Sequence, residues 1–200
     1  FQLAQKIDFS TLTALGQLAG IVFAATLFHG LVVLPTIAWL VSGKNPLQFL
    51  RAVSQPMVTA LFTSSSAATL PLSMKTAQDK LGVDQARSAF VLPLGATANM
   101  DGTALFEGIA TVFLAYMFGV ELGTTGVIAI FLVAMLSSVG APGIPSGSMA
   151  GMQMVLLAVG IPLEAIGLLL LIERPLDTFR TAVNVEGDLV GCLVAKRFAS

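Results

Sequence analysis

Five polar residues stand close together near the C-terminal end of the sequence: Asp177, Arg180, Thr181, Asn184 and Asp188. Counted from Asp177 they lie at offsets 0, 3, 4, 7 and 11, and at about 100° per helical residue these spacings put all five on one face. Arg180 offers a planar fork of donors matched to a carboxylate. Asp177, one turn earlier, can take an ammonium, and Thr181 and Asn184 supply neutral hydrogen bonds beside them. Together they describe a site for a small zwitterion that carries a second carboxylate. Asp188 beside Asn184, and Asp101 beside Asn99, suit a hard monovalent cation such as sodium, which prefers oxygen ligands. The simpler alternative is that these acids only form structural ion pairs with Arg180 or Arg174, since buried charges usually pair. Glu173 and Arg174 are expected at the outer entrance, paired with each other. Glu186, nine residues from Asp177 and so about 180° around the helix, falls off the stripe.

The surroundings decide what such a stripe means. The 200 residues are 56% hydrophobic and only 10% charged, against about 25% charged in soluble proteins, and the mean hydropathy is +0.89. This is the composition of an all-α integral membrane protein. A charge near the centre of a bilayer costs on the order of 2.5–3.5 kcal/mol, so the stripe must face inward and meet partners rather than lie on a solvated surface. A net charge of −1 supplies no basic patch, which argues against nucleic acid. The single cysteine, Cys192, allows no intrachain disulfide or cysteine metal site and is expected to be plain packing. The chain opens on Phe1 without a leader-like pattern and is expected to be part of a longer protein.

Five segments must position the stripe. Residues 1–10 read as a connecting loop and 11–43 as one long apolar helix, long enough to span the bilayer with tilt. Its one ionisable group is His29, either a proton site or a hydrogen-bonded structural residue, and Pro35 is placed to kink it. Residues 47–74 carry Thr63-Ser-Ser-Ser-Ala-Ala-Thr-Leu-Pro71 in their middle, a run that invites a turn. They read as two half-helices meeting at a serine-rich tip, a re-entrant hairpin. Residues 88–120 form a helix broken at Gly95-Ala-Thr-Ala-Asn99-Met-Asp101-Gly-Thr103, where helix propensity fails. Residues 123–163 carry no charge, and Gly140-Ala-Pro142-Gly-Ile-Pro145-Ser-Gly147-Ser148 interrupts them, so they read as a second re-entrant hairpin. Residues 165–195 are the terminal helix with the stripe. A broken hairpin followed by a helix bearing Asn and Asp thus occurs twice, the pattern of an inverted repeat with its site at mid-membrane. Half-helix tips there offer N–H groups to an anion, and unwound carbonyls suit a cation. If the hairpins enter from opposite sides, Lys44, Arg51, Lys75, Lys80, Arg87, Lys196 and Arg197 share one side and only Lys6 lies near the other. That distribution puts the C-terminus in the cytoplasm.

The runs Thr63–Pro71, Pro93–Thr103, Gly140–Ser148 and Asp177–Asp188 resemble the dicarboxylate/amino acid:cation symporter family, which includes glutamate/aspartate transporters and neutral amino acid exchangers. The resemblance covers nearly all of residues 11–197 and implies the C-terminal part of the transport domain of an elevator-type homotrimer, with the trimer formed through an N-terminal scaffold outside this sequence. It implies that Arg180 takes the substrate side-chain carboxylate and Asp177 its amino group. Thr181 and Asn184 would hold the α-carboxylate, with Thr103 and backbone at Ser66 and Ile144 completing the pocket. One sodium site would use backbone at Gly95, Asn99 and Asn184 with the Asp188 carboxylate; a second, backbone at Thr97, Ser138, Val139 and Ala141. A third would involve Asn99 and Asp101. The implied activity is sodium-coupled symport of aspartate or glutamate across the cell membrane. Proton-coupled carriage of dicarboxylates, or carriage of neutral amino acids, is the alternative. Glu107, where proton-coupled relatives have glutamate, is the candidate proton carrier, the other reading being a buried acid bonded to a neighbour. Ala67, Pro142 and Ser148 depart from the family pattern at the tips. Glu186 resembles the neutral exchangers, whereas Arg180 does not. Outside transport, an intramembrane enzyme would need Asp101 and Asp188 as a carboxylate pair, without any protease signature beside them; a passive channel fits poorly with gated hairpins.

Overall fold

The computed structural model describes residues 8–140 and 143–198. Among the described residues the chain is all-helical. Asp8 caps α1 (Phe9–Phe28) by accepting from the N–H of Thr11 at 2.8 Å, so the helix starts two residues before the expected boundary. A single π turn, His29–Val33, follows and leads into α2 (Leu34–Ser42). Pro35 explains the turn's position: it has no N–H to donate, and the ladder is re-formed one residue wider, with the Leu34 N–H reaching the carbonyl of His29. The run Phe9–Ser42 is 34 residues long with hydropathy 2.1. At about 1.5 Å per residue it exceeds the roughly 30 Å of a bilayer core. Its outer side, with Phe9, Ile21, Phe28, Leu31 and Leu40, is exposed, as a lipid-facing surface requires.

Asn45 and Pro46 start α3 (Pro46–Thr63), the asparagine side chain accepting from Leu47 N–H at 2.9 Å. The helix stops where Ser64 turns left-handed at φ 49°. Ser65 then caps α4 (Ser66–Asp79) by accepting from Ala68 N–H at 3.1 Å. Two serines thus end one helix and begin the next in the space of a single turn. The helix α4 continues past the expected limit of 74, because Thr76 and Ala77 are buried while its charges stay at the surface. Asp84 caps α5 (Gln85–Ala98) through the N–H of Arg87. Asn99 and Met100 leave helical geometry, and α6 (Asp101–Met117) follows. The next pair is α7 (Thr124–Ser138) and α8 (Ser148–Ala158), separated by the proline- and glycine-rich stretch. A short 3-10 turn, Leu163–Ala165, precedes α9 (Ile166–Phe198).

The last helix is the axis of the molecule. It packs against α1, α2, α3, α4, α5 and α6, and its 33 residues reach about 50 Å at 1.5 Å per residue. Two apolar clusters divide it. One gathers Phe49, Val53, Leu92, Val185 and Leu189 around its C-terminal half; the other gathers Leu15, Leu18, Phe106, Met152 and Leu169 around its N-terminal half. The polar stripe lies between them, where the breaks at 64–65, 99–100 and 143–147 bring non-helical backbone toward α9.

Candidate functional site

Arg180 is fully buried, with no exposed surface. Its Nη2 donates toward Glu173 Oε1 at 3.1 Å, Asp177 Oδ1 at 3.2 Å and Ser148 Oγ at 3.2 Å. The guanidinium carbon sits 4.0 Å from the centre of the Phe106 ring, a stacking that fixes the plane of the fork. Nε and Nη1 are buried without a partner among the described residues. A buried donor left unpaired costs about 1–3 kcal/mol, more when charged. Nε and Nη1 are therefore open, buried donors, a deficit that a carboxylate would relieve.

The stretch between α7 and α8 closes against this centre. Ser146, left-handed at φ 60°, donates its N–H to Asp177 Oδ2 at 3.1 Å and its hydroxyl to Glu173 Oε2 at 2.9 Å. Bonds to two acids offset the roughly 1–2 kcal/mol of left-handed backbone. The two tips also meet. The Gly143 carbonyl accepts from Ser65 Oγ at 2.8 Å and Ala67 N–H at 3.3 Å. A Cβ on Gly143 would stand 2.5 Å from the Ala96 carbonyl oxygen, so only glycine lets the tip approach α5 this closely.

On the next turn of α9, Asn184 Oδ1 accepts from the Gly102 N–H at 2.8 Å, and its Nδ2 donates to Thr103 Oγ1 at 3.3 Å. Asn184 thereby satisfies one of the open N–H groups at the start of α6. Thr181 donates back to the Asp177 carbonyl at 2.8 Å. Ser66 and Thr103 are buried, whereas Ile144 is 57% exposed on the tip. Arg180, Asp177, Thr181, Asn184 and Thr103 are thus gathered around one polar core, with Ser66 at the facing start of α4.

Asp188 lies one turn further, buried, accepting from Asn99 Nδ2 at 3.2 Å. Gly95 makes room for it: a Cβ there would be 2.6 Å from Asp188 Oδ1. Gly187 does the same for Asn99 and Asp101, whose Nδ2 and Oδ2 would be 2.9 and 2.8 Å from its Cβ. A cavity of about 240 Å³ is lined by these groups, including Gly95, Asn99, Asp101 and Asp188. Among the described residues no three of His, Cys, Asp and Glu converge in the manner of a transition-metal site. The Asp188 and Asp101 carboxylates that line this cavity are ligands of the kind a hard cation takes.

Of the residues expected at a second cation site, Thr97 turns its hydroxyl back to the Leu94 carbonyl at 3.1 Å and Ser138 to Met135 at 2.9 Å. Their side chains are therefore committed to their own helices, which leaves main-chain oxygen as what they and the exposed Val139 can offer. Ala141, also expected there, lies outside the described residues, as does Pro142.

Several expectations change. Asp101 and Asp188 do not pair with Arg180 or Arg174: Asp101 Oδ2 meets His29 Nε2 at 3.1 Å, because the π turn of the first span rotates His29 onto the start of α6. Glu173 and Arg174 are not partners. Glu173 turns inward to Arg180, while Arg174 stays exposed, 4.0 Å from Asp177. Glu173 was legible in the spacing, four residues before Asp177 and seven before Arg180, which continues the same stripe. Phe106, Ser146 and Ser148 carried no local signal, since only tertiary approach brings them to Arg180. Glu186 lies off the stripe yet fully buried, against Gly30 in the π turn. Glu107 accepts a hydrogen bond from Ser137, and its other oxygen is buried without a partner among the described residues.

The chain is apolar and, among the described residues, all-helical, and its broken helices converge on a buried arginine. It belongs to the sodium:dicarboxylate symporter family, whose family model matches residues 1–198. It is 40% identical over 203 residues to excitatory amino acid transporter 3 of Mus musculus, covering 100% of this chain and 39% of that protein. Identity to excitatory amino acid transporter 2 of Homo sapiens is 45% over 177 residues, 88% of this chain and 31% of the relative. An excitatory amino acid transporter of Caenorhabditis elegans matches at 41% over 178 residues, 89% and 35% of the two chains. The chain thus spans 31–39% of the length of these relatives.

Proposed function

We propose that these residues form the substrate- and ion-binding part of a sodium-coupled symporter of aspartate or glutamate in the cell membrane. The observation that carries this reading is the buried Arg180 guanidinium, stacked on Phe106 and braced through Nη2 by Glu173 and Asp177, with Nε and Nη1 left as open donors. The side-chain carboxylate of the substrate accepts from such an open donor in a charge-assisted bond. Asp177 takes the amino group, and Thr181, Asn184 and Thr103, with main chain at Ser66 and Ile144, take the α-carboxylate. Sodium, as co-transported cargo, is held by the Asp188 carboxylate with main chain at Gly95, Asn99 and Asn184. Main chain at Thr97, Ser138, Val139 and Ala141 serves a second ion, and Asn99 with Asp101 a third. The excitatory amino acid transporters among the relatives support the substrate class by their names.

In this reading α3–α4 and α7–α8 are re-entrant hairpins in an inverted repeat, forming the inner and outer gates of a transport domain that moves as an elevator. Their meeting at Gly143 makes occupancy of the stripe depend on both tips. The protein is a homotrimer with its C-terminus in the cytoplasm. Glu107 gives the reading a proton-coupled form: a buried carboxylate with one open oxygen, 0% exposed, is where a proton would ride with the substrate.

The test is uptake of labelled L-aspartate into proteoliposomes containing the full-length gene product. Inward sodium drives accumulation, and excess L-glutamate suppresses it while succinate and L-serine do not. Equal uptake with choline in place of sodium overturns the coupling, and preferential suppression by succinate or serine transfers the site to dicarboxylates or neutral amino acids.

A further inference from the structure

We propose that Ser148 is a specificity-determining residue, which holds Arg180 in place and gives its own hydroxyl proton to the second carboxylate of the substrate. The inference rests on the acidic amino acid reading and adds a residue to it. Arg180 Nη2 has two hydrogens and three acceptors in reach: Glu173 at 3.1 Å, Asp177 at 3.2 Å and Ser148 at 3.2 Å. Two of these are carboxylates on α9 itself. Ser148 is the one neutral acceptor and the one contributed by another helix.

That difference has chemical consequences. Glu173 and Asp177 are acceptors only when ionised, so they balance the charge of Arg180 but repel an arriving carboxylate. The Ser148 hydroxyl can accept from Arg180 and donate at the same time. It is buried, 3% exposed, and among the described residues no acceptor takes its proton. It therefore presents a donor beside the unpaired Nε and Nη1 of Arg180, where the strongest bond goes to an ionised acceptor.

The place of Ser148 in the chain makes the device part of the gate. It is the first residue of α8, two residues after Ser146, whose N–H and hydroxyl hold Asp177 and Glu173. The tip thus holds the two acids with one serine and the guanidinium with the other. A substrate carboxylate between Arg180 and Ser148 adds a bond to α8, whereas an amide or hydroxyl substrate at the same place lacks the charge that makes that bond strong.

The experiment compares L-aspartate with L-asparagine, its neutral isostere, as inhibitors of sodium-driven uptake by the full-length protein. In Ser148→Ala, aspartate is expected to weaken about tenfold or more, the worth of a hydrogen bond to a charged group, while asparagine changes less than about twofold. Ser148→Thr, which keeps the hydroxyl, restores aspartate. The sodium-induced shift in melting temperature without substrate stays at its wild-type value in both variants, which shows that they are folded. Unchanged aspartate affinity in Ser148→Ala, an equal loss for both ligands, or no rescue by threonine overturns the role of Ser148 alone. Wild-type protein that does not distinguish aspartate from asparagine overturns the acidic amino acid reading as well.

Discussion

Replacing Arg180 by lysine separates the charge of the guanidinium from its shape. The three contacts of Nη2, to Glu173, Asp177 and Ser148 at 3.1–3.2 Å, are of a kind an ammonium can make. The donors at Nε and Nη1 are not replaced, because lysine has a single nitrogen and that one is taken by these acceptors. Stability should therefore change little. The loss is the stacking on Phe106, about 0.5–2 kcal/mol, with the acids still neutralised. Binding should change more, since a bond to a charged acceptor, worth about 1.5–3 kcal/mol, loses its donor. The expected loss of about 1.5–3 kcal/mol is roughly 10- to 150-fold in aspartate affinity. Arg180→Ala serves as the contrast. It strands Glu173 and Asp177 without a counter-charge and should cost about 3–5 kcal/mol of stability. The assays are sodium-dependent aspartate binding and thermal unfolding in one detergent. The reasoning is refuted if Arg180→Lys binds aspartate within threefold of wild type, or if lysine and alanine destabilise equally.

Three further outcomes follow from close approaches and capping. Gly143→Ala would put a Cβ 2.5 Å from the Ala96 carbonyl oxygen, a backbone atom with nowhere to go. The tips should part at a cost of about 1–3 kcal/mol, visible as faster proteolysis within residues 139–147. Gly95→Ala sets a Cβ 2.6 Å from Asp188 Oδ1 and 3.0 Å from its Cγ, and should raise the sodium needed for half-saturation by about tenfold or more. Aspartate affinity at saturating sodium should then be nearly restored. Asp84, exposed at the start of α5, is held below its ordinary value of 3.8 chiefly by the Arg87 N–H and then by the Arg87 side chain. A carboxylate depressed on folding stabilises above its unfolded value and loses that contribution as pH falls through the folded one. The difference in melting temperature between wild type and Asp84→Ala should thus be present at about pH 6 and shrink toward about pH 3.

The helical character of the chain was legible because its signals are local. Serine runs, Asn-x-Asp-Gly and the Pro-Gly stretch are short-range breakers, and the structure leaves helical geometry at 64–65, 99–100, 139–140 and 143–147. The stripe was legible because it needs only the period of one helix, and all five of its residues are buried. What was not legible is what lies across from it. Phe106 looks like any core aromatic until α6 crosses α9, and Ser146 and Ser148 look like turn residues until the tip folds down on Arg180. His29 and Asp101 are 72 positions apart, and the π turn that joins them is signalled in the sequence only by Pro35, which reads as a kink. Glu173 is the instructive case. Its offset from Arg180 was available in the spacing, but its neighbour Arg174 suggested an adjacent ion pair. Adjacent residues on a helix point about 100° apart, so the partner of Glu173 is Arg180, seven residues and about two turns on.

The central claim is that Arg180 binds an acidic amino acid only when sodium occupies the site around Asp188 on the same helix. Calorimetric titration of the purified full-length protein with L-aspartate, at zero and at saturating sodium, tests it most directly. The account predicts at least a hundredfold gain in affinity with sodium, about 2.7 kcal/mol of coupling, and its disappearance in Asp188→Asn. Aspartate affinity that is the same in both buffers, with wild-type protein otherwise folded, would contradict it.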